Sequence, residues 1–461
     1  MTNTIPTVEA SGLLGSLTEL RRDRIGLMKR IPAEYGDIAR LRAGLFRPIV
    51  VSGADLCHEV LTEKPDAFLK GLGLSVFARP LLGDGLLTSE RDVHKKNRRL
   101  VAPAFVHSRI AGYARVIAEC VDGHVTRLAT LREADLSVEM MRLTLDVVAR
   151  TLFGAELGPD IDAIGAAITA FLEHVTGQIL SALPIPPFVP TPSNRRFLRM
   201  VRDLDGIVYR IIRERRRRDV DSNDLLSMLL AARDPEDGSA FSDEQIRDEV
   251  MTILIAGHET TANGLSWAFS LLDEHPSVRQ RLEAESDAVL GGRRPTFEDL
   301  SRLPVAARVF KESLRLFPPV YMVARRAACD VTIGGHDIRK GTLLLLNIVG
   351  MHHRADYFPE PESFQPDRFE PSAERAIPRH AFLPFSAGPR VCIGNHFALM
   401  EGQMALAQLA GRLRFERLDP RAALVGEPTL TLRPRGGVPV TIHRRRAEGN
   451  ARATAAALVE A

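Results

Sequence analysis

The spacing of apolar residues predicts one unusually long helix near the middle of the chain. Ser242 and Gln245 have the spacing of a capping box, which marks a helix start, and helical spacing continues to Glu274, just before Pro276. The pattern covers about 30 residues, which corresponds to about 45 Å of helix. Its central part is apolar on all sides, so we expect protein to surround this helix.

Patterns typical of strands are few and clustered, while most of the remaining sequence has helical spacing. The predicted hairpins are 38–45 with 48–52 and 429–432 with 438–442, and a further strand at 331–333 turns at Gly334-Gly335 and continues to a strand at 342–346. The fold class is therefore mainly α with small β-sheets (α+β). No change in composition marks a boundary between domains.

A proline-rich segment interrupts the helical pattern. Residues 184–192 contain five prolines, so we predict that they are not helical. The segment joins two helical stretches and carries apolar side chains at Ile185, Phe188 and Val189. It is either a plain linker or a rigid lid over an apolar pocket.

Composition indicates a soluble globular protein. Hydrophobic residues make up 45% and charged residues 26%, and a net charge of +3 gives no reason to expect a nucleic-acid partner. The four cysteines have no paired spacing, which argues against a disulfide framework and against a zinc site. No signal peptide and no apolar run long enough to cross a membrane are visible. We expect a cytoplasmic monomer without membrane contact.

One cysteine lies in a distinctive loop. Cys392 follows Phe385, Gly388 and Arg390 at fixed spacing, and Gly394 follows it just before a helical pattern. The free N–H groups at that helix start favour a thiolate, and the glycines let the backbone approach a flat partner. Arg390 supplies a cation where an acidic group could dock. An isolated cysteine is usually structural, and we assign that role to the other cysteines, which are Cys57, Cys120 and Cys329.

The spacing Phe-x-x-Gly-x-Arg-x-Cys-x-Gly resembles the haem-binding loop of the cytochrome P450 family. In that family a cysteine thiolate is the axial ligand of the haem iron. The resemblance implies haem b (iron protoporphyrin IX) as the cofactor and Cys392 as its metal ligand. It also implies that Phe385, Gly388 and Arg390 are haem-binding residues.

The resemblance further implies the family's prism-like helical domain with a smaller β-rich region. The chain then divides into an N-terminal extension at 1–34, a single haem-thiolate domain at 35–443 and a disordered tail at 444–461. Glu312, Arg315 and Arg368 match the family's Glu-Arg plus Arg network and take a structural role. By themselves, Glu312 and Arg315 would be an ordinary ion pair on one helix face.

Further basic residues match the positions that bind haem propionates in the family. His94 and Arg98 are four apart, so they lie on one face of a helix. The resemblance assigns both to the propionates, together with Arg390 and either Arg325 or its neighbour Arg326, of which Arg325 is preferred.

The middle of the long predicted helix carries a buried carboxylate. Glu259 lies in an apolar stretch with Ala256, His258 and Thr260, and a buried carboxylate costs several kcal/mol unless it is hydrogen-bonded or functional. A hydrogen-bonded Glu–Thr pair in a locally loosened helix is the structural alternative. The resemblance implies instead that Thr260 holds bound O₂ and its water, that Glu259 relays protons, and that Ala256 borders the haem. His258 would face away and serve packing.

The activity that the resemblance implies is a monooxygenase. It would insert one atom of O₂ into an apolar small molecule, by hydroxylation or epoxidation, with NAD(P)H electrons from a separate ferredoxin- or flavodoxin-type donor. Lys95, Lys96 and Arg99 would form a basic rim that steers this donor. The positions that match substrate-lining segments are 72–87, 170–183, 254–256, 320–324 and 430–431.

Two other functions compete with this interpretation. A peroxide-dependent haem-thiolate hydroxylase is the nearer one, but such enzymes lack the acid-alcohol pair that Glu259 and Thr260 form. A non-catalytic haem-binding sensor is the other, and sensors usually carry an output domain, which is not visible here.

Overall fold

The computed structural model describes residues 4–10, 15–44, 46–158, 160–181, 183–218, 224–234, 236 and 238–445. Helices predominate among these residues, as the sequence predicted. The predicted tail lies outside the described residues from residue 446 onward, and so does Leu45, which ends one of the predicted strands.

The described residues form α-helices of four to 32 residues and strands of three to six residues. The helices are α1 (Leu17–Arg22), α2 (Arg24–Tyr35), α3 (Ala54–His58), α4 (Arg79–Leu82), α5 (Arg91–Val101), α6 (His107–Leu128), α7 (Leu136–Leu152), α8 (Asp160–Ile179), α9 (Pro192–Arg218), α10 (Leu225–Ala231), α11 (Asp243–Glu274), α12 (Pro276–Leu290), α13 (Pro304–Leu316), α14 (Ile348–His352), α15 (Pro371–Glu374) and α16 (Asn395–Arg412). The strands are β1 (Ile38–Arg40), β2 (Ile49–Val51), β3 (Phe68–Lys70), β4 (Glu133–Asp135), β5 (Val323–Ala327), β6 (Val331–Ile333), β7 (His336–Ile338), β8 (Leu343–Leu346), β9 (Leu413–Arg417), β10 (Gly426–Pro428), β11 (Leu432–Pro434) and β12 (Pro439–Arg444).

The long helix α11 confirms the prediction at both ends. The Ser242 hydroxyl accepts the Gln245 N–H at 3.2 Å, and the Gln245 side chain accepts the Ser242 N–H at 2.9 Å, which completes the capping box. The helix has 32 residues and packs against α7, α13 and α16. Its residues are buried on all sides from Ile246 to Leu272 apart from a short exposed stretch near Ala256. The helix therefore forms the centre of the main hydrophobic core.

The strands form four small sheets. The largest has the order β1-β2-β8-β5-β3, and the others are β4-β12-β9, β6-β7 and β10-β11. The predicted pairing of β1 with β2 is confirmed, with Ile38 opposite Val51. The turn at Gly334-Gly335 is also found, but it joins β6 to β7, a strand that the sequence analysis missed, before the chain continues to β8.

The predicted pairing of 429–432 with 438–442 is wrong. β11 pairs with β10, so residues 429–431 form the tight turn between those two strands. Gly436 and Gly437, with φ of 76° and 78°, then redirect the chain into another sheet, where Val440 lies opposite Arg417. Because Val440 and Ile442 are both buried, β12 gains more by covering the helical core beside β9 than by closing a local hairpin.

The N-terminal residues pack onto the β-rich region. Thr7 forms a bridge with Arg40, and α2 packs against α14, where the Asn347 side chain donates to the Met28 carbonyl at 2.7 Å. The prediction that 184–192 are not helical is confirmed for 184–191 and wrong for Pro192, which is the first residue of α9, a position that suits proline because it needs no N–H. Within the described part of the chain, no helix is long and apolar enough to cross a membrane.

The predicted network of Glu312 and Arg315 is present and completely buried. Two guanidinium nitrogens of Arg315 each lie 2.7 Å from an oxygen of Glu312, and both side chains are 0% exposed. Arg315 also donates to the carbonyls of His352 and Pro361, and Arg368 lies 3.4 Å from Glu312. The network therefore ties α13 to α14 and to the segment that leads toward the cysteine loop.

Candidate functional site

The loop around Cys392 has a fixed, tightly packed backbone. Gly388 has φ of +69°, and a Cβ atom there would lie 2.0 Å from the Leu61 carbonyl oxygen, so only glycine fits. The Cys392 N–H donates to the Phe385 carbonyl at 2.9 Å and closes the loop. The helix α16 begins at Asn395, as predicted, directly after Gly394.

The Cys392 thiol borders an internal space. Its side chain is accessible to solvent, yet enough protein surrounds the sulfur that burial raises the pKa of the thiol. The Gly394 N–H and the Arg98 charge act in the opposite direction. The predicted groups that favour a thiolate are therefore in place, but desolvation outweighs them, and the net direction is opposite to the sequence-based expectation. A bound metal ion reverses this balance because a coordinating thiol loses its proton.

The four basic residues predicted to bind one acidic partner converge beside the cysteine loop. Arg98 donates to the Val391 carbonyl at 2.8 Å, next to Cys392. The pKa of His94 is lowered to about 3 by burial and by the charges of Arg390, Arg98 and Arg325, with a fifth cation contributing. These residues come from α5, β5 and the cysteine loop, so the fold gathers cations that are far apart in sequence.

The fifth cation is Lys70, which the sequence analysis missed. It lies in β3 directly opposite Arg325 in β5, so the register places two basic side chains next to each other. Lys70 is buried, donates to the carbonyls of Leu86 and Ser89 at 3.1 and 2.8 Å, and has its pKa lowered to about 6 by burial and by Arg390. No motif surrounds it in the sequence, so only the strand register could reveal its role.

Two carboxylates accompany this cluster. Glu90 accepts the Lys70 backbone N–H at 2.6 Å and forms a short ion pair with Arg390. Glu249 of α11 is buried, accepts the Leu86 N–H, and has its pKa raised to about 7 by burial, so it carries only part of a negative charge at neutral pH. The arginines of the cluster remain charged and outnumber the carboxylates, whereas Lys70, with a pKa of about 6, is only partly charged at neutral pH. The site therefore fits a ligand with more than one acidic group.

The choice between Arg325 and Arg326 follows from the pleat of β5. Arg325 is buried beside Arg390, whereas Arg326 is exposed on the opposite face of the strand.

The predicted basic rim on α5, which would steer an electron donor, carries less unpaired positive charge than the sequence suggested. Lys96 and Arg99 both pair with Asp234. Arg99 also pairs with Glu236. Lys95 has a 3.9 Å pair with Asp92, and the rim is therefore largely neutralised.

The two predicted catalytic residues lie on different faces of α11. Ala256 is exposed although its helix runs through the core, and Thr260 lies one turn away on the same face and is half-buried. The Thr260 hydroxyl donates to the Ala256 carbonyl at 2.8 Å, and α11 continues through this stretch as an unbroken helix. Glu259 is only 1% exposed and faces the β10–β11 turn.

Other residues of α11 and its neighbours serve packing. His258 is buried, burial lowers its pKa to about 4, and its ring nitrogens have no hydrogen-bond partner among the described residues, so it is a neutral packing residue, as predicted.

Two of the predicted substrate-lining residues use their hydroxyl groups in hydrogen bonds within the protein. The Tyr321 hydroxyl donates to the Thr429 carbonyl at 2.7 Å, and the Thr431 hydroxyl donates to Glu259 at 2.9 Å. The exposed apolar candidates are Leu72, Val76, Leu87, Ile179 and Leu183.

Comparison with known proteins adds to this geometry. A family model described as cytochrome P450 matches residues 6–437. The chain is 38% identical to cyclooctat-9-en-7-ol 5-monooxygenase from Streptomyces melanosporofaciens, over 87% of each chain. It is 36% identical to cyclooctatin synthase from the same organism, over 92% of this chain and 93% of the relative. It is 32% identical to pentalenene oxygenase from Streptomyces avermitilis, over 87% and 89% of the two chains.

Proposed function

Because this chain belongs to the cytochrome P450 family and is a monooxygenase that uses haem b, we propose that it oxidises an apolar cyclic terpenoid with O₂. Two observations support the terpenoid class: relatives named for such compounds match most of the chain, and the exposed candidate lining residues are aliphatic. We further propose that residues 35–443 belong to one monooxygenase domain, although the predicted tail does not begin at 444, because Arg444 is still part of β12 and pairs with Leu413.

The residues present fit the cofactor. The Cys392 sulfur would bind the iron, and haem ligated in this way supplies an electron-rich metal that favours cleavage of the O–O bond. The gathered cations match the two propionate groups of haem b, so His94, Arg98, Arg325 and Arg390 would hold them, and Lys70 would join them. Phe385, Gly388 and Ala256 would pack against the ring.

The acid-alcohol pair of Glu259 and Thr260 would position O₂ and transfer protons. The Thr260 hydroxyl uses its proton in the bond to the Ala256 carbonyl, so its lone pairs are left to accept a hydrogen bond, for example from a water. Glu259 is buried, which raises the pKa of its carboxyl and helps it to hold a proton at neutral pH. Electrons would come from NAD(P)H through a separate ferredoxin- or flavodoxin-type protein.

Oxidation of pentalenene tests this proposal. We expect purified protein with a surrogate ferredoxin, its reductase and NADPH to convert pentalenene to an oxygenated product, detected by mass spectrometry, and to leave leukotriene B4 unchanged. We expect Thr260→Ala to lower product formed per NADPH by about 10-fold, because one positioned proton-transfer group contributes at least that much. Oxidation of leukotriene B4 alone would refute the terpenoid class. Turnover with peroxide that Thr260→Ala leaves unchanged would favour the peroxide-dependent alternative.

Removal of one cluster cation tests how the cofactor is held. We expect Arg325→Leu to speed haem loss about 10- to 100-fold, since a hydrogen bond to a charged group contributes about 1.5–3 kcal/mol. Transfer of haem to excess apomyoglobin, followed by absorbance, measures this rate. The matched control is Arg326→Leu, which removes the same charge from the exposed face of β5 and should leave the rate unchanged. Equal rates in both variants would contradict the assignment of Arg325.

A further inference from the structure

Among the described residues, one carboxylate oxygen of Glu259 has hydrogen-bond donors and the other has none. Its Oε1 accepts the Thr431 hydroxyl at 2.9 Å and the Asn263 side-chain amide at 3.1 Å. Its Oε2 is buried and has no hydrogen-bond partner among the described residues. Because a carboxyl group bonded on one oxygen cannot rotate freely, the two oxygens have different chemical roles.

Thr431 is itself fixed by the turn that carries it. The Thr429 hydroxyl donates to the Thr431 carbonyl at 2.9 Å, and the Thr429 carbonyl accepts the Tyr321 hydroxyl at 2.7 Å. Arg24 of α2 donates to the same Tyr321 hydroxyl at 2.5 Å. The turn between β10 and β11 is therefore held by its own hydrogen bond and by Tyr321, and it presents the Thr431 hydroxyl to α11 at a set position.

The charges around Glu259 are few. Arg433 of β11 is the cation that acts on it, and Arg433 is itself paired with Glu427 and Glu173. His258, the neighbour on α11, is neutral. Burial raises the pKa of Glu259, while the hydrogen bonds from Thr431 and Asn263 and the Arg433 charge lower it.

We propose that Thr431 is a positioning residue that fixes Oε1 of Glu259 and leaves Oε2 as the atom that takes up and gives up the proton. The inference deepens the proposed function, because it assigns the residue that orients the proton donor. In each delivery, the O–H bond at Oε2 breaks as its proton forms a new O–H bond with a water, and a second proton from solvent restores the bond at Oε2. No electrons move through Glu259 or Thr431.

Titration of Glu259 by infrared spectroscopy tests the positioning role without substrate. The band of the protonated carboxyl is assigned by its loss in Glu259→Gln, and its intensity is followed against pH in the holoenzyme. We expect Thr431→Val to move the ionisation of Glu259 to higher pH, since the variant loses a hydrogen bond that favours the charged form. We expect Thr431→Ser, which keeps the hydroxyl, to titrate like the parent protein. Ser270→Ala removes a hydroxyl bonded only within α11 and controls for general loosening of the helix.

A second measurement tests proton delivery and also needs no substrate. With electrons from a photoexcited ruthenium complex, O₂ is reduced either to H₂O₂, with two electrons and two protons, or to two waters, with four of each. We expect Thr431→Val to lower the ratio of water to H₂O₂ about 10-fold, because the misplaced acid delivers protons more slowly. Thr431→Ser and Ser270→Ala should keep the ratio of the parent protein.

The outcomes separate the inference from the proposed function. An unchanged titration in Thr431→Val would overturn the positioning role, and a shifted titration with an unchanged water-to-peroxide ratio would overturn its use in proton delivery. Oxidation of leukotriene B4 and not of pentalenene would refute the terpenoid class and would leave both of these measurements intact.

Discussion

Replacement of Cys392 by histidine is expected to leave a protein that still takes up haem but has lost oxygenation. The cations that would hold the propionates come from other elements, namely α5, β3 and β5, and from Arg390 elsewhere in the loop, so they remain in place. The sulfur ligand, however, is gone, and with it the electron donation that favours O–O cleavage. We expect pentalenene turnover to fall below detection.

Absorbance after reduction with dithionite and addition of carbon monoxide checks this result. The parent protein should show the strongly red-shifted band of thiolate-ligated haem, and Cys392→His should show the band typical of an imidazole ligand. Cys329→Ser is the matched control, since Cys329 is an exposed cysteine outside the site. Identical spectra for the parent protein and Cys392→His would show that sulfur does not bind the iron.

Replacement of Arg315 by alanine is expected to lower the free energy of unfolding by about 3–5 kcal/mol, because it leaves the Glu312 carboxylate buried without its main counter-charge. Both side chains are 0% exposed, and Arg315 also satisfies the carbonyls of His352 and Pro361. The loss should reach the site, since the network holds the segment that leads to the cysteine loop.

Denaturant unfolding followed by far-ultraviolet circular dichroism measures this change. The control is Arg281→Ala, which removes an exposed arginine paired with Asp367 and should cost about 1 kcal/mol or less. If Arg315→Ala gives no soluble protein, Glu312→Gln serves instead, since it removes the charge and keeps the shape. A cost for Arg315→Ala similar to that of the surface control would contradict the assigned importance of the network.

The sequence was most informative where local chemistry decides local structure. The capping box of α11, the turn at Gly334-Gly335 and the loop that closes at Cys392 all depend on residues within a few positions of one another. The bounds of the long helix and the start of α16 were therefore predicted to the residue. Motifs with fixed spacing also placed His94 and Arg98 on one helix face.

The sequence was least informative where distant segments meet. Lys70 belongs to the site only because β3 pairs with β5 in a register that places it opposite Arg325, and no local pattern reports that register. The partner of Glu259 is likewise a threonine 172 positions away. The same limit explains the wrong pairing of the last strands, since burial against the helical core decided which sheet β12 joined. It also explains why the raised pKa of the Cys392 thiol was not predicted, because the extent of desolvation depends on the whole surrounding fold.

The register of β3 against β5 has a thermodynamic consequence. β3 is the outermost strand of its sheet, and β5 is its neighbour there, so Lys70 and Arg325 face each other at a sheet edge. Burial and the nearby positive charges lower the pKa of Lys70 to about 6, whereas an anionic group bound beside it favours its charged form. Binding of the acidic cofactor and proton uptake by Lys70 are then linked equilibria, so we expect the cofactor to be held more tightly as the pH falls toward about 6.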